Sequence, residues 1–499
     1  MKKYKHYLVF GITCMVLTVF SSCELSEEID DFEPLFSLPS ETGISDENSA
    51  ELALTGVYAR LRREETGPGI PDFLIYPSIL SGVADGTFFG TFPSRFFVDE
   101  FQGAAFSSDG IYTKLYDLIN RANLIIEKVP QLDNSVFTNV NRKEEIVGEA
   151  KILRAMGYFY LLRTVGQFYD TNSNFGVSLR TDPPRTTEIS PRSSVADTYS
   201  FILQDLDDAL VSAPDLRAKF FTNKTFAKGL KAKVMLYQGN YAEAANLANE
   251  ILTNPNPNFT LAPTYDELFI NTSPQLFDNP EILFGPKGEP GAELGIGFNW
   301  GLTTVVNGKF LFEDSQKSMD VNGQIISYDG NRVSNHFGNQ GPFGLDTEKY
   351  IGERGEGGNV YEILYILRMA EVYLIFAEAN ARNNNSVTTE ALNALNAVRI
   401  RSGATTTGGN GFETYPATIS LQQFLEAVRI EKMIEMAGET GEEWFDLVRY
   451  DYADGFGTGF QVSDVVPTAT NPDFFILRIE QNIIDRSNNI IVQNPGYDF

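Results

Sequence analysis

Apolar residues recur at helical spacing along most of this chain, and the interruptions divide it into pieces. From Glu47 to Arg63 the positions Leu52, Val57, Tyr58 and Leu61 predict a helix, ended by Gly67-Pro68-Gly69-Ile70-Pro71. The stretch from Ser81 to Ser108 is rich in Gly and Phe, follows neither helical nor strand period, and reads as a long loop. From Ile111 to Val129 the residues Leu115, Leu118, Ile119, Ala122, Ile125, Ile126 and Val129 fall on one face, and Pro130 closes that helix. A second helix, from Arg142 to about Thr164, is expected to pack against it.

Helix pairs continue further on. Between Lys224 and Leu252, Ala232, Ala244 and Ala248 stand where two helices must approach, with Gly239-Asn240 as the turn and Pro255 beyond, which resembles a tetratricopeptide-type hairpin. Residues 254–360 carry Gly, Asn, Pro and aromatics without a helical stripe, and predict an irregular insertion with short strands. Helices are expected again from Tyr361 to Arg382, Thr388 to Arg401 and Leu421 to Ala437, then in the short segment Glu443 to Arg449. The fold class that follows is mainly α: tetratricopeptide-like helix pairs form a scaffold over 41–253 and 361–450, and a long loop-rich insertion over 254–360 contains short strands. On the helix from Tyr361, Arg368, Glu371, Glu378 and Arg382 form one charged stripe on an otherwise apolar surface. Ions on a buried helix survive by pairing, so a structural network is the first reading and a catalytic carboxylate pair the second.

The amino terminus changes the picture. Lys2, Lys3 and Lys5 precede an apolar run from Tyr7 to Phe20, and Ser21-Ser22 lead to Cys23. That run falls short of the roughly 20 residues a helix needs to cross a bilayer, so residues 1–22 read as an export signal. A Cys directly behind small residues resembles the lipobox of bacterial lipoproteins, which makes Cys23 the expected lipid anchor; Cys14 lies inside the apolar run. Residues 23–40 begin with an acidic, aperiodic tether. Of 39 basic and 66 acidic residues, cleavage removes three lysines and no acid, leaving a formal charge of −30. Such acidity excludes nucleic acid, whose binding needs a basic stripe to displace counterions. With Cys23 lipidated and Cys14 discarded no disulfide can form, and stability must come from the core.

The order of the pieces resembles the SusD/RagB family over essentially the whole mature chain. Leu54-Thr55-Gly56-Val57-Tyr58 and Asn120-Arg121-Ala122-Asn123 are similar to its first helices, and Gly148-Glu149-Ala150-Lys151-Ile152-Leu153-Arg154-Ala155-Met156-Gly157-Tyr158-Phe159 to its G-E-A-x-x-L-R-A-x-x-Y-F helix. Longer matches run over Leu367 to Ala379, Leu395 to Arg401, Trp444 to Arg449 and the terminal Gln493 to Tyr497. Glu443 departs from the Arg that usually precedes the Trp, the turn at Glu439-Thr440-Gly441 is one residue longer, and Arg478-Ile479-Glu480 replaces a Pro-Ile-Pro-like approach to the carboxyl end. The resemblance implies a surface-exposed lipoprotein of a Bacteroidetes-type outer membrane. It would rest on a TonB-dependent, SusC-like transporter and capture a nutrient, most commonly an oligosaccharide and in some members a peptide. The acidic tether also resembles the surface-export signal behind the lipid cysteine of such lipoproteins.

The residues offer little to catalysis. Only His336 remains after signal removal, which excludes multi-His metal sites, and neither G-x-S-x-G nor a P-loop occurs. Asp320-Val321-Asn322-Gly323 lacks the later acidic ligand of a calcium loop and reads as a turn. No cofactor is expected. A surface glycosidase with paired carboxylates stays open as the enzymatic alternative, since acids are plentiful. Binding sugar from water needs flat rings and planar polar groups, and two loop stretches offer them. The candidates are Asp85 and Phe89 in the first, and Asn299, Trp300, Tyr328, Arg332 and His336 in the second. Trp444, inside an amphipathic scaffold motif, reads as a core residue.

Overall fold

The computed structural model describes residues 43–62, 75–83, 110–183, 185, 189–254, 256–269, 273–288, 316–337, 339–341, 344–346, 361–406, 408, 411–453 and 459–497. Helices come first: α1 (Glu47–Tyr58), α2 (Ile75–Leu80), α3 (Ile111–Lys128), α4 (Arg142–Val165), α5 (Val195–Ser212), α6 (Lys224–Tyr237) and α7 (Tyr241–Thr253). The middle of the chain contributes β1 (Ile282–Phe284), β2 (Lys287–Gly288), β3 (Ser318–Val321), β4 (Gln324–Ser327), α8 (Arg332–Phe337), β5 (Asn339–Gly341), β6 (Gly344–Asp346), β7 (Glu362–Ile363) and β8 (Leu367–Arg368). Then follow α9 (Met369–Asn384), α10 (Thr389–Arg401), α11 (Leu421–Met436), α12 (Glu442–Ala453) and α13 (Gln481–Arg486).

The long helices form a continuous array. From α3 to α7 each packs on the next, α7 packs on α9, and α9 on both α10 and α11, around one apolar core. Small residues set the spacing: a Cβ on Gly148 of α4 would lie 2.5 Å from the backbone nitrogen of Ala213 at the end of α5. The expected hairpin is present as α6 and α7, turning at Gly239 with φ +79°. Helix α5 was not among the expected elements, although Val195, Tyr199, Ile202, Leu206 and Ala209 are its buried stripe and Ser194 caps it by accepting from Asp197 N at 3.0 Å.

One boundary differs from expectation. The chain from Tyr361 enters extended rather than helical: β7 pairs with β2 and β8 with β1, both antiparallel, and α9 begins only at Met369. Long-range pairing with the 282–288 segment, invisible to a local period, decides those eight residues. A satellite apolar cluster that includes Tyr265, Phe269, Phe277 and Tyr365 seals this junction. Asp320 to Gly323 is the turn joining β3 and β4, with Asn322 and Gly323 at φ 56° and 87° and Gly323 N donating to Asp320 Oδ1 at 2.6 Å.

The charged stripe on α9 is a buried ion network. Arg368 donates to Glu281 at 2.6 Å, Glu435 at 2.7 Å and Glu439 at 2.9 Å. Glu371 accepts from Lys233 at 2.9 Å, and Glu378 from Arg449 at 2.6 Å and Arg382 at 2.8 Å. Burial alone would raise the Glu378 carboxyl, but Arg449 and Arg382 hold it down at about 2. These acids brace α9 against α6, α11 and α12. Trp444 is fully buried, its indole donating to Phe475 O at 3.1 Å. No helix among the described residues is long and apolar enough to cross a membrane.

Candidate functional site

A cleft of about 690 Å³ opens where α11 and α12 meet the β3–β4 hairpin. Helix α11 starts at a capping box in which Ser420 Oγ accepts from Gln423 N and Gln423 Oε1 accepts from Ser420 N, the reason the Ser-x-x-Gln pattern begins a helix here. Gln423 Nε2 also donates to Asp320 O at 2.8 Å, and Asn322 Nδ2 to Thr418 O at 3.2 Å, so the hairpin is tied across the start of α11. From below, Arg399 Nη2 donates to Ser327 O at 2.8 Å. The hairpin thereby carries Lys317 and Tyr328 to one wall of the cleft.

Helix α11 supplies the floor with Leu421, Gln422, Leu425, Glu426, Arg429 and Ile430. Tyr328 OH donates to Glu426 Oε1 at 3.0 Å; burial, then the Glu426 charge, raises the phenol above its ordinary range. The far wall is Tyr450 of α12, whose hydroxyl donates to Leu425 O at 3.3 Å, with Phe460 edge-on to it at 6.2 Å between ring centres. Asp451 Oδ2 accepts from Val462 N at 2.7 Å and Asp464 Oδ2 from Gln461 N at 2.8 Å, which fixes the segment bearing Phe460 against α12. Arg382 closes the end, 4.6 Å from the Tyr450 ring centre. Flat rings alternate here with amide, carboxylate and guanidinium groups, the surface a ring-shaped, hydroxyl-rich ligand requires.

Of the residues expected at the site, Tyr328 lines this cleft. Arg332 stands beside it in sequence but turns inward: 3 % exposed, it donates to Glu431 Oε1 at 2.6 Å and Glu435 Oε2 at 2.9 Å and joins the ion network. Cys23, Asp85, Phe89, Asn299 and Trp300 lie outside the described residues, as does the side chain of His336, a position within α8. Sequence reasoning passed over Glu426, Arg429 and Tyr450, which fall within the expected scaffold, and Phe460, which lies beyond it. The signal available was a polar Arg429 on the face that continues Leu421 and Leu425 at a spacing of four.

Comparison with known proteins places this architecture. A model described as the SusD family matches residues 296–497, and one described as starch-binding associating with outer membrane matches residues 99–236. A SusD-like protein of Formosa agariphila is 27% identical over 311 residues, covering 59% of this chain and 53% of the relative. A SusD-like protein of Bacteroides ovatus is 25% identical over 385 residues, 68% of this chain and 65% of the relative. The matches thus span between half and two thirds of those relatives. Among solved structures, a laminarin binding SusD-like protein superposes with a TM-score of 0.65 at 21% identity over 91% of this chain and 100% of its own. A sugar binding protein from Bacteroides vulgatus, so titled as a putative one, gives 0.67 at 20% identity over 92% and 100%. One family model covers α3 to α5 and most of α6, the other covers the segment that builds the cleft, and the chain belongs to the SusD/RagB-like family.

Proposed function

We propose that this protein is a lipid-anchored receptor of the outer-membrane surface that captures an oligosaccharide without altering it and delivers it to a TonB-dependent transporter. The observation that carries the reading is the cleft, where Tyr328, Tyr450 and Phe460 offer ring faces and edges beside Gln422, Glu426 and Arg429. Sugar rings stack their C–H faces on such aromatics, and neighbouring planar groups take their hydroxyls. The names of the relatives, laminarin binding for one and sugar binding for another, support a glycan as the ligand class. The description of a matching family supports association with the outer membrane, and the Ser21-Ser22-Cys23 junction supports the anchor. The loop residues Asp85, Phe89, Asn299, Trp300 and His336 are proposed to complete the grip. Turnover has poor footing in the cleft: Glu426 is engaged by Tyr328, and Asp464 by the backbone of Gln461. The test is a glycan and peptide array probed with the mature chain, with chromatography of the bound sugars. Retention of intact oligosaccharide supports capture, whereas peptide-only binding or shortened products overturn it.

A further inference from the structure

Arg429 is unlike the other buried arginines among the described residues. Arg332, Arg368, Arg399, Arg401 and Arg449 each meet a carboxylate, and Lys432 meets Asp446 at 2.9 Å. Arg429 is 6 % exposed and lines the cleft, yet it makes no hydrogen bond or ion pair among the described residues, and its Nη1 is buried without an acceptor. Its neighbour in the cleft, Phe460, lies over the guanidinium at 4.7 Å, which shields the charge from water while giving it no acceptor. A guanidinium with an empty donor is costly inside a protein. The family scaffold supplies acids freely elsewhere, and the whole chain is acidic, with a formal charge of −27. In the cleft, Arg429 stands among Lys317, Glu426, Asp464 and an Arg382 already held by Glu378.

We infer that the cleft selects an oligosaccharide bearing an anionic substituent, a uronate carboxylate or a sulfate ester, and that Arg429 is the residue that receives it. The inference rests on reading the cleft as the glycan site. A planar guanidinium offers two parallel N–H donors to a carboxylate or sulfate, a match a neutral hydroxyl cannot make. The Phe460 ring beside the guanidinium keeps water away, so an ion pair formed there is stronger than one in open solvent.

The experiment is calorimetric titration of the mature chain with four probes: an oligogalacturonate, its methyl ester, a sulfated galactan oligosaccharide and its desulfated counterpart. The expected result is that at least one anionic probe binds on the order of tenfold or more tighter than its neutral twin, the factor one charge-assisted contact supplies. Arg429→Gln then brings the anionic probe down to its neutral twin, Arg429→Lys keeps part of the difference, and both variants melt with the wild type. Which anionic probe shows the preference separates carboxylate from sulfate. Equal binding of each anionic probe and its twin, or a preference that survives Arg429→Gln, overturns the inference and leaves glycan capture standing. Absence of binding by all four probes overturns the inference, and glycan capture itself then depends on the array.

Discussion

Glu443 is the residue whose titration should register most clearly in stability. It sits in the first turn of α12, 3 % exposed, with Oε1 accepting from Ser78 Oγ and Gly438 N and Oε2 without a partner. Burial is the largest influence and raises its carboxyl to about 7; the bonds from Ser78 and Gly438 pull the other way, and the charge of Glu442 adds to the rise. A carboxyl near 7 in the folded chain and 4.5 in the unfolded one takes up a proton on folding between those values. Its stabilising contribution is therefore complete at low pH and lost as pH climbs from about 4.5 to about 7. At roughly 1.36 kcal/mol for each pH unit, the loss totals about 3 kcal/mol. Glu443→Gln keeps the shape and removes the titration. Urea unfolding of both proteins from pH 4.5 to 8 should show the variant gaining on the wild type by about 3 kcal/mol across that range, while all other groups cancel in the difference. A difference that stays constant with pH would refute the reasoning, and would place water or a compensating cation beside Oε2.

Further predictions follow from the packing and the anchor. Arg449→Met leaves Glu378 to Arg382 alone and Asp446 to Lys432 alone, and should cost about 3 kcal/mol by urea unfolding. The same variant should reduce the stability that Glu378 provides above pH 4.5 and forfeits as pH falls toward 2, with Arg382 retaining the remainder. Gly148→Ala forces a Cβ onto the backbone at Ala213 and should cost about 1–3 kcal/mol, whereas Gly157→Ala, which meets only the side chains of Leu118 and Ile119 at 3.0 and 3.1 Å, should cost less in the same assay. Arg192 donates to Val492 O at 3.0 Å and Asn494 Oδ1 at 2.8 Å as well as to Val165 O, Phe175 O and Gly176 O, so Arg192→Ala should expose the last dozen residues to limited proteolysis before the core. Cys23→Ala should abolish incorporation of labelled palmitate and release the protein from the membrane fraction; continued labelling would contradict the anchor.

The helical frame was largely legible because its signals are local. Apolar residues three and four apart and a Gly-Asn turn mark α3, α4, α6, α7 and α11 within a few residues of their observed ends. The extended entry to α9 was not legible, since β8 owes its conformation to β1, more than eighty residues earlier. The same distance hides the site. Arg332 and Tyr328 are four residues apart in one irregular stretch, yet Arg332 meets Glu431 and Glu435 in the interior while Tyr328 meets Glu426 at the cleft. Three acids of one helix assign opposite roles to two neighbours, and nothing near position 330 announces where that helix will lie. Arg429 escaped notice for the complementary reason: what sets it apart is that no acid pairs with it, a property of packing.

Capture at the cleft is tested most directly by calorimetry on the mature chain and on Phe460→Ala, using an oligosaccharide that the array retains. The account predicts saturable binding by the wild type with the sugar recovered intact, and binding weakened about tenfold or more when the ring over Arg429 is gone. Equal affinity in the two proteins, or new reducing ends in the recovered sugar, would contradict it.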